Sequence, residues 1–388
     1  MSTLKVGGIR GVSASSDAIT VSNDGTCTAN VTNNLSNRNI VINGAMQVAQ
    51  RDTGSGFTGV GQQEYTIDRF VTLHSYNSST INVINSSQSP DGFSKSYKVD
   101  VTAADTSIGA AEFMFIRHKI EAQNLQQLAY GTSGAKSITL SFYVRSNVTG
   151  TYAICLQQKD NSSKQVNGTY TINSANTWER KTFNFAGDTT GVINNDNGHG
   201  LDILWTLVAG SDRTSGSARP TWTTHANADE SVGHTANILS STSNDWHLTG
   251  VQLEVDHTGS GVATDFEHRS FAQELALCQR YFNRYNTETV NGHFFLAAGY
   301  NNSNPGARGS WPFTVPMRAS PSLAISDLSH FAELGTGKAM SSITLADSGT
   351  GKNLTGLTVT FTSNSFAGFA HVIRAGNTSA YLQFDAEL

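Results

Sequence analysis

The sequence has 388 residues, 14% of them charged, with a formal net charge of −5 and a pI near 6.1. That length suits two or three domains, and a charge content well below the roughly 25% of ordinary globular chains, with plentiful Ser, Thr, Asn and Gly, favours short strands and turns over long helices. The acidic balance offers no basic field for nucleic acid, no apolar run is long enough to span a membrane, and the N-terminus lacks the basic-plus-apolar shape of a secretion signal.

Residues 1–37 are poor in aromatics, and their short alternating sets, Ile19/Val21 and Cys27/Ala29/Val31, can form strands only if something else covers them, so this segment is expected to depend on a partner. The body, 38–258, is expected to open with a strand at Asn39–Met46 that breaks at Asn43-Gly44, followed by Tyr65–Phe70. Ser137–Arg145 alternates cleanly, with Tyr152–Gln158 as its expected hairpin partner, and Trp178–Phe185 alternates again. Leu201–Val208 is more continuously apolar, as a central strand covered on both faces would be. Nine or ten short strands in about 220 residues read as a β-sandwich. Trp178, Trp205 and Trp246, which start or fill strands, are expected in its core. A long polar excursion, Gly210–Asp245, carries Arg219, Trp222, His225, Asp229, Glu230 and His234; loops of this length usually serve recognition or subunit contact.

Trp246, Leu248, Val251, Leu253 and Val255 then mark a half-buried strand. After a Gly-rich connection, within a linker-and-helix segment 259–285, Ser270 and Gln273 have the spacing of a capping box, and Phe271, Leu275, Cys278 and Phe282 fall on one face of an amphipathic helix with Leu277 and Tyr281 beside them. The first four are expected to pack on the body and the last two on a neighbouring copy. Residues 286–388 read as a smaller β domain with strands at His293–Ala298, Trp311–Arg318, Leu323–Ile325, Leu354–Phe361, Phe369–Ile373 and Tyr381–Phe384. Pro312 and Pro316 cannot donate to a ladder, which places their strand at an edge or a subunit boundary.

The run Thr249-Gly250-Val251-Gln252-Leu253-Glu254, followed by Phe266-Glu267-His268-Arg269-Ser270 and by Glu274-Leu275-Ala276-Leu277-Cys278-Gln279-Arg280-Tyr281, resembles a segment recurrent in tail fibres and related appendages of tailed bacteriophages, marine ones especially. The strand order of the body, closed by GVQLEV, resembles that of carbohydrate-binding jelly rolls. Together the resemblances imply a mainly β protein: a jelly-roll β-sandwich body, one linking amphipathic helix and a C-terminal β-sandwich-like domain. They further imply a homotrimeric virion appendage made in the host cytoplasm, docked to a tail or baseplate protein through its N-terminal arm and adhering to host-surface glycan. A capsid or tail decoration protein and a glycan-degrading tailspike are the alternatives.

No Gly-x-Ser-x-Gly turn, Walker loop or HExxH stretch is present, so the expectation is no enzyme and no cofactor. Cys27, Cys155 and Cys278 are scattered and odd in number, which suits buried thiols rather than a disulfide framework. Asp256, His257, Asp265, Glu267 and His268 gather acidic and imidazole groups near one turn, but without a zinc or calcium spacing, and acidic groups there already suit the helix N-terminus; no metal is expected. Sugar recognition combines an aromatic face with short polar side chains. The glycan-binding candidates are therefore Arg219, Trp222 and His225 in the excursion, and Tyr300, Asn302, Arg308 and Trp311 in the last domain.

Overall fold

A computed structural model describes residues 6–12, 15, 17–24, 27–29, 37–52, 54–76, 78–160, 163–256, 259–286, 292–299, 306–334, 337–346, 351–362 and 370–388. The alternation around Trp246 is realised as strand Asp245–Val255, with Trp246, Leu248, Val251 and Leu253 fully buried. It lies inside a six-stranded antiparallel sheet, between Ile138–Ser146 and Ser96–Ala103; Glu179–Phe185 flanks the former and Thr80–Ser86, then Phe57–Thr58, the latter. The alternation slips one residue at Gly250, where register with Ile138–Ser146 breaks. Gly250 has φ 61°, and a Cβ there would come within 2.8 Å of the Phe93 and Tyr143 rings, so the bulge requires glycine.

The facing sheet has seven antiparallel strands in the order Thr223–Thr224, Lys164–Ile172, Gly150–Gln158, His199–Ala209, Phe113–Glu121, Phe70–Ser75 and Gln63–Tyr65. His199–Ala209 is central and buried on both faces, as its apolar run requires. Trp205 and Trp246 are fully buried in the single core between the sheets, and Phe142 meets Trp205 edge-on at 5.8 Å. The fold is mainly β, with a jelly-roll sandwich as its body.

Several expectations change. Ile138–Ser146 and Gly150–Gln158 are consecutive but belong to opposite sheets, so they form no hairpin: each has an apolar face, and the chain turns across the sandwich so that both faces reach the core. Asn39–Met46 is no strand. It is a buried strap along the closing strand, held by Ile40 N to Leu253 O (2.8 Å) and Val251 N to Gly44 O (2.9 Å), with Asn43 at φ 61°. The Tyr65–Phe70 stretch is interrupted by a turn in which Asp68 and Arg69 are buried. Trp178 is only half-buried, edge-on to His247.

Helix Phe271–Gln279 carries the full capping box between Ser270 and Gln273, but stops three residues before Phe282. Its buried members are Glu274 and Cys278, whereas Phe271 is 57% exposed and Leu275 and Leu277 are half-buried. Tyr281 and Phe282 are fully buried beyond the helix end, Tyr281 in a turn and Phe282 at the start of a strand. Tyr281 therefore packs within its own chain and is not free to face another copy.

That strand, Phe282–Asn286, joins Tyr381–Asp385 and Ser322–Ile325 in a three-stranded sheet. The remaining sheet orders Phe331–Glu333, Ala370–Ala375, His293–Gly299, Gly306–Pro312, Leu354–Phe361 and Met340–Leu345. Pro312 closes an interior strand rather than an edge strand. Pairing with His293–Gly299 covers only Ala307–Gly309, so no ladder donor is demanded of Pro312 on that side, and Pro316 lies outside any strand. Near the N-terminus, Gly8–Ile9, Ile19–Val21 and Cys27–Ala29 form a small antiparallel sheet. Val31, His257, Tyr300, Asn301, Asn302 and Phe369 lie outside the described residues.

Candidate functional site

The segment that carries the appendage resemblance is a continuous bonding unit. Glu254 accepts from the Thr264 amide (2.9 Å) and hydroxyl (2.6 Å), and Gln252 reaches Thr264 and the Asp265 carbonyl while accepting from the Glu267 amide at 2.8 Å. Glu267 in turn accepts from the main chain of Asn37 and of Asn39 (2.7 Å), and Arg269 donates to the Asn39 and Val41 carbonyls. Glu274, buried in the helix, accepts from the Asn43 amide and faces Arg269 at 3.5 Å. A buried carboxylate survives only if such donors replace its lost water. Strand, connection, strap and helix are thereby bonded together through side chains of the motif itself.

Beyond the helix the unit grips both β regions. Arg280 places Nε and Nη2 on the two oxygens of fully buried Glu121 (2.9 and 2.6 Å), and the Tyr281 hydroxyl donates to the same carboxylate at 2.7 Å. Arg69, 1% exposed, pairs with Glu387, donates to the Lys119 carbonyl and lays its guanidinium 3.5 Å over the Tyr281 ring. Arg51 contacts Asp385 (3.1 Å) and Glu387 (3.3 Å) and stacks 3.5 Å over Phe282. Arg318 bonds the carbonyls of Asn197, Ala386 and Glu387, each at 2.8 Å. Body and C-terminal region thus share one desolvated charged joint. Burial lowers the Lys119 ammonium to about 8, with Arg117 pushing in the same direction.

The sequence-selected residues of the excursion serve its attachment to the seven-stranded sheet. Arg219 pairs with Asp229 at 2.7 Å, its amide donates to Asn167 Oδ1 and its carbonyl accepts from the Asn167 amide. The Trp222 indole N–H donates to the Ala186 carbonyl at 2.8 Å and its ring meets Tyr130 edge-on, sealing the sandwich edge. His225 contacts Glu230 at 2.8 Å, and Glu230 also receives Gln157 (2.6 Å) and Arg213. Burial would raise the Glu230 carboxyl, but His225, Arg213 and Gln157 outweigh it and hold it below its ordinary range. His234, pushed down to about 4 by burial, accepts from the Ala153 amide. Nearby on this outward face, fully buried Asp202 collects Arg117, His199 and Lys159; burial opposes its ionisation, yet His199 and Arg117 hold its carboxyl well below the usual range. These charges satisfy one another.

In the last domain Trp311 packs edge-on against Tyr285 (4.7 Å) and tilted against Phe384, partly buried in that core, while Arg308 is exposed on the same strand. The candidates of the two regions are not brought together. The acidic and imidazole set near residue 256 is also dispersed: Asp256 accepts from Asn184 and Gly261, Glu267 serves the strap, and His268 packs on Phe93 and Phe266. Among the described residues no three His, Cys, Asp or Glu side chains are placed to hold a metal ion. Cys155 and Cys278 are buried free thiols, raised by burial.

Open grooves lie along the helix and beside the strand that follows it. One, about 750 Å³, runs along the helix past Phe266, His268, Gln273 and Leu277 to Val315. The other, about 700 Å³, lies between the body's Ala49–Asp52 stretch and the C-terminal region, and Asp52, Arg284, Asn286, Asp327, His330 and Tyr381 help line it. None of those six was singled out from sequence. They come from four separated segments, and nothing in any one of them signals the groove.

No protein-family model and no curated protein sequence matches the chain. Among solved structures, the enzymatically active domain of tailspike protein 4 from bacteriophage CBA120 aligns at 10% identity and TM-score 0.30, covering 56% of this chain but only 21% of that one. The family 11 carbohydrate-binding module from Clostridium thermocellum aligns at 10% identity and TM-score 0.26, covering 55% of this chain and 98% of the module. The CBM22-2 xylan-binding domain from Paenibacillus barcinonensis Xyn10C aligns at 11% identity and TM-score 0.27, covering 47% and 91%.

Proposed function

We propose that this chain is a non-enzymatic appendage of a tailed-phage particle that attaches the virion to glycan on the host surface. The observation that carries the reading is the bonding of the appendage-like motif. Gln252, Glu254, Glu267, Arg269, Glu274, Arg280 and Tyr281 each hold a specific partner, and together they tie a jelly-roll body to a second β region through a buried charged joint. A joint of that kind resists the shear that an adhesive fibre bears. The groove between Ala49–Asp52 and the C-terminal region, lined mainly by polar surface, suits hydroxyl-rich ligands better than apolar ones.

In this reading the N-terminal arm docks to a tail or baseplate protein, and three copies assemble. Support comes from the small N-terminal sheet and the turn beside it, where Ile9 is 54% and Val21 37% exposed, so apolar side chains there await a cover. Purified chain, added in excess before infection, should compete with phage adsorption, and labelled antibody against the body should mark the tail tip. Undiminished adsorption together with label on the capsid would refute attachment by this chain. Sedimentation at micromolar concentration should give three times the monomer mass; a monomer there would rule out the trimer.

A further inference from the structure

The groove bordered by Ala49–Asp52, strand Phe282–Asn286 and the turn before Tyr381 has a lining unlike the self-satisfied charges of the outward sheet face. We propose that it is the glycan-contacting site, and that its ligand is a neutral, hydroxyl-rich oligosaccharide; the proposal rests on the adhesion reading above.

The walls are pre-formed. Gln50 donates to the Phe282 carbonyl (2.8 Å), Tyr381 N donates to the Ser326 hydroxyl (3.1 Å) while Ser326 N donates to the Tyr381 carbonyl (3.1 Å), and Gly376 N reaches the His330 carbonyl (2.6 Å). A site fixed before binding loses little entropy when its ligand arrives. Its volume, about 700 Å³, lies within the range of about 300–1,000 Å³ usual for small-ligand sites and accommodates a short run of sugar rings.

The side chains on these walls alternate donor and acceptor. Arg284 gives one N–H to the Arg51 carbonyl at 3.1 Å, rests its guanidinium 4.0 Å over the Tyr381 ring, and forms no ion pair among the described residues. Asp52 uses one carboxylate oxygen for the amides of Gly54 and Gly56, and Asp327 uses one for Ser329 N. The partly buried His330 adds an imidazole to the same lining. Vicinal sugar hydroxyls donate and accept at once, so a guanidinium, an amide, an imidazole and two carboxylates suit them. Charge selects the class: with Asp52 and Asp327 flanking the single unpaired guanidinium of Arg284, an anionic polysaccharide meets more repulsion than attraction.

The test uses the full chain on immobilised neutral and uronic-acid-containing polysaccharide from host cells, followed by calorimetry with the best neutral oligosaccharide. Ser379→Trp, at an exposed rim position, should plug the groove, and Asp327→Asn should remove one acceptor charge with little change in volume. Each is expected to weaken binding on the order of tenfold or more at unchanged melting temperature. Lys159→Ala, on the outward face of the seven-stranded sheet, should bind as wild type. Wild-type affinity in both groove variants would overturn the site while leaving adhesion intact, and the more so if Lys159→Ala lost binding. A preference for the acidic polysaccharide would overturn the ligand class. If the wild-type chain bound neither polysaccharide, the adhesion reading would fall and the site with it.

Discussion

Replacing Glu387 by Gln should loosen the joint between the body and the C-terminal region more than any surface change of equal size. The Glu387 side chain is 4% exposed and that of its partner Arg69 is 1% exposed, so neither charge is solvated by bulk water. With the carboxylate neutralised, Arg69 keeps only the Lys119 carbonyl and the Tyr281 ring, and a guanidinium cannot shed its proton. Arg51 loses one of its two nearest carboxylates in the same step, retaining Asp385 at 3.1 Å. Breaking one side of a buried pair costs about 3–5 kcal/mol; because Gln keeps an acceptor oxygen, the lower end, about 3 kcal/mol, is expected. In urea unfolding followed by tryptophan fluorescence and circular dichroism, that loss should appear as an earlier transition of the C-terminal region, separating from that of the sandwich. The half-exposed pair Lys98 with Asp100 is the control: Asp100→Asn should cost less than about 1 kcal/mol. Were E387Q to unfold within about 1 kcal/mol of wild type, in one transition, the joint could not be a desolvated ionic clasp.

Other perturbations follow from the same geometry. Ser270→Ala removes the capping hydroxyl that accepts from Gln273 N, and should cost about 1 kcal/mol in denaturant titration, with faster amide exchange in the first helical turn. Gly250→Ala forces a Cβ toward two aromatic rings at φ 61° and should cost roughly 1–3 kcal/mol; a neutral substitution would contradict the bulge. Glu230→Gln should speed hydrogen exchange across residues 211–234 while leaving the central strand His199–Ala209 protected, since Arg213 and His225 lose their shared anion. Acid should destabilise the fold through Asp202, Glu230 and Asp245, whose carboxyls are depressed in the native state although burial opposes the shift. Their contribution is complete above the unfolded values of 3.8 and 4.5 and is lost as pH falls through the lower native values. Asp68, raised by burial, acts with the opposite sign, so Asp68→Asn should steepen the net acid loss and Asp202→Asn should flatten it.

Local periodicity was enough to locate many elements. Ile138–Ser146, Asp245–Val255 and Leu354–Phe361 lie where alternation puts them, and the jump from Leu248 to Val251 in the buried series is itself the trace of the bulge at Gly250. The Ser270/Gln273 spacing located the helix start, because a capping box is made by residues three apart and needs nothing distant. Helix length was harder: Tyr281 and Phe282 continue the apolar face, yet pairing of Phe282–Asn286 with Tyr381–Asp385 draws them into another sheet.

What periodicity leaves open is the partner. Gly150–Gln158 reads as a strand from its own residues, but an alternating strand fits either sheet, and only its pairing with the following Lys164–Ile172 and the more distant His199–Ala209 decided which one it joined. Trp222, a sugar-binding candidate by composition, was given the sandwich edge by the position of Ala186 and Tyr130. The joint is the extreme case: Arg69 meets Glu387 and Glu121 meets Arg280 across gaps of 318 and 159 residues, and no local pattern marks either pair. Sequence by itself determined several of the strands and the start of the helix, because those depend on neighbours a few residues away. Only the tertiary structure decided which buried charges would face one another, because a charge is tolerated inside only where folding delivers its counter-charge.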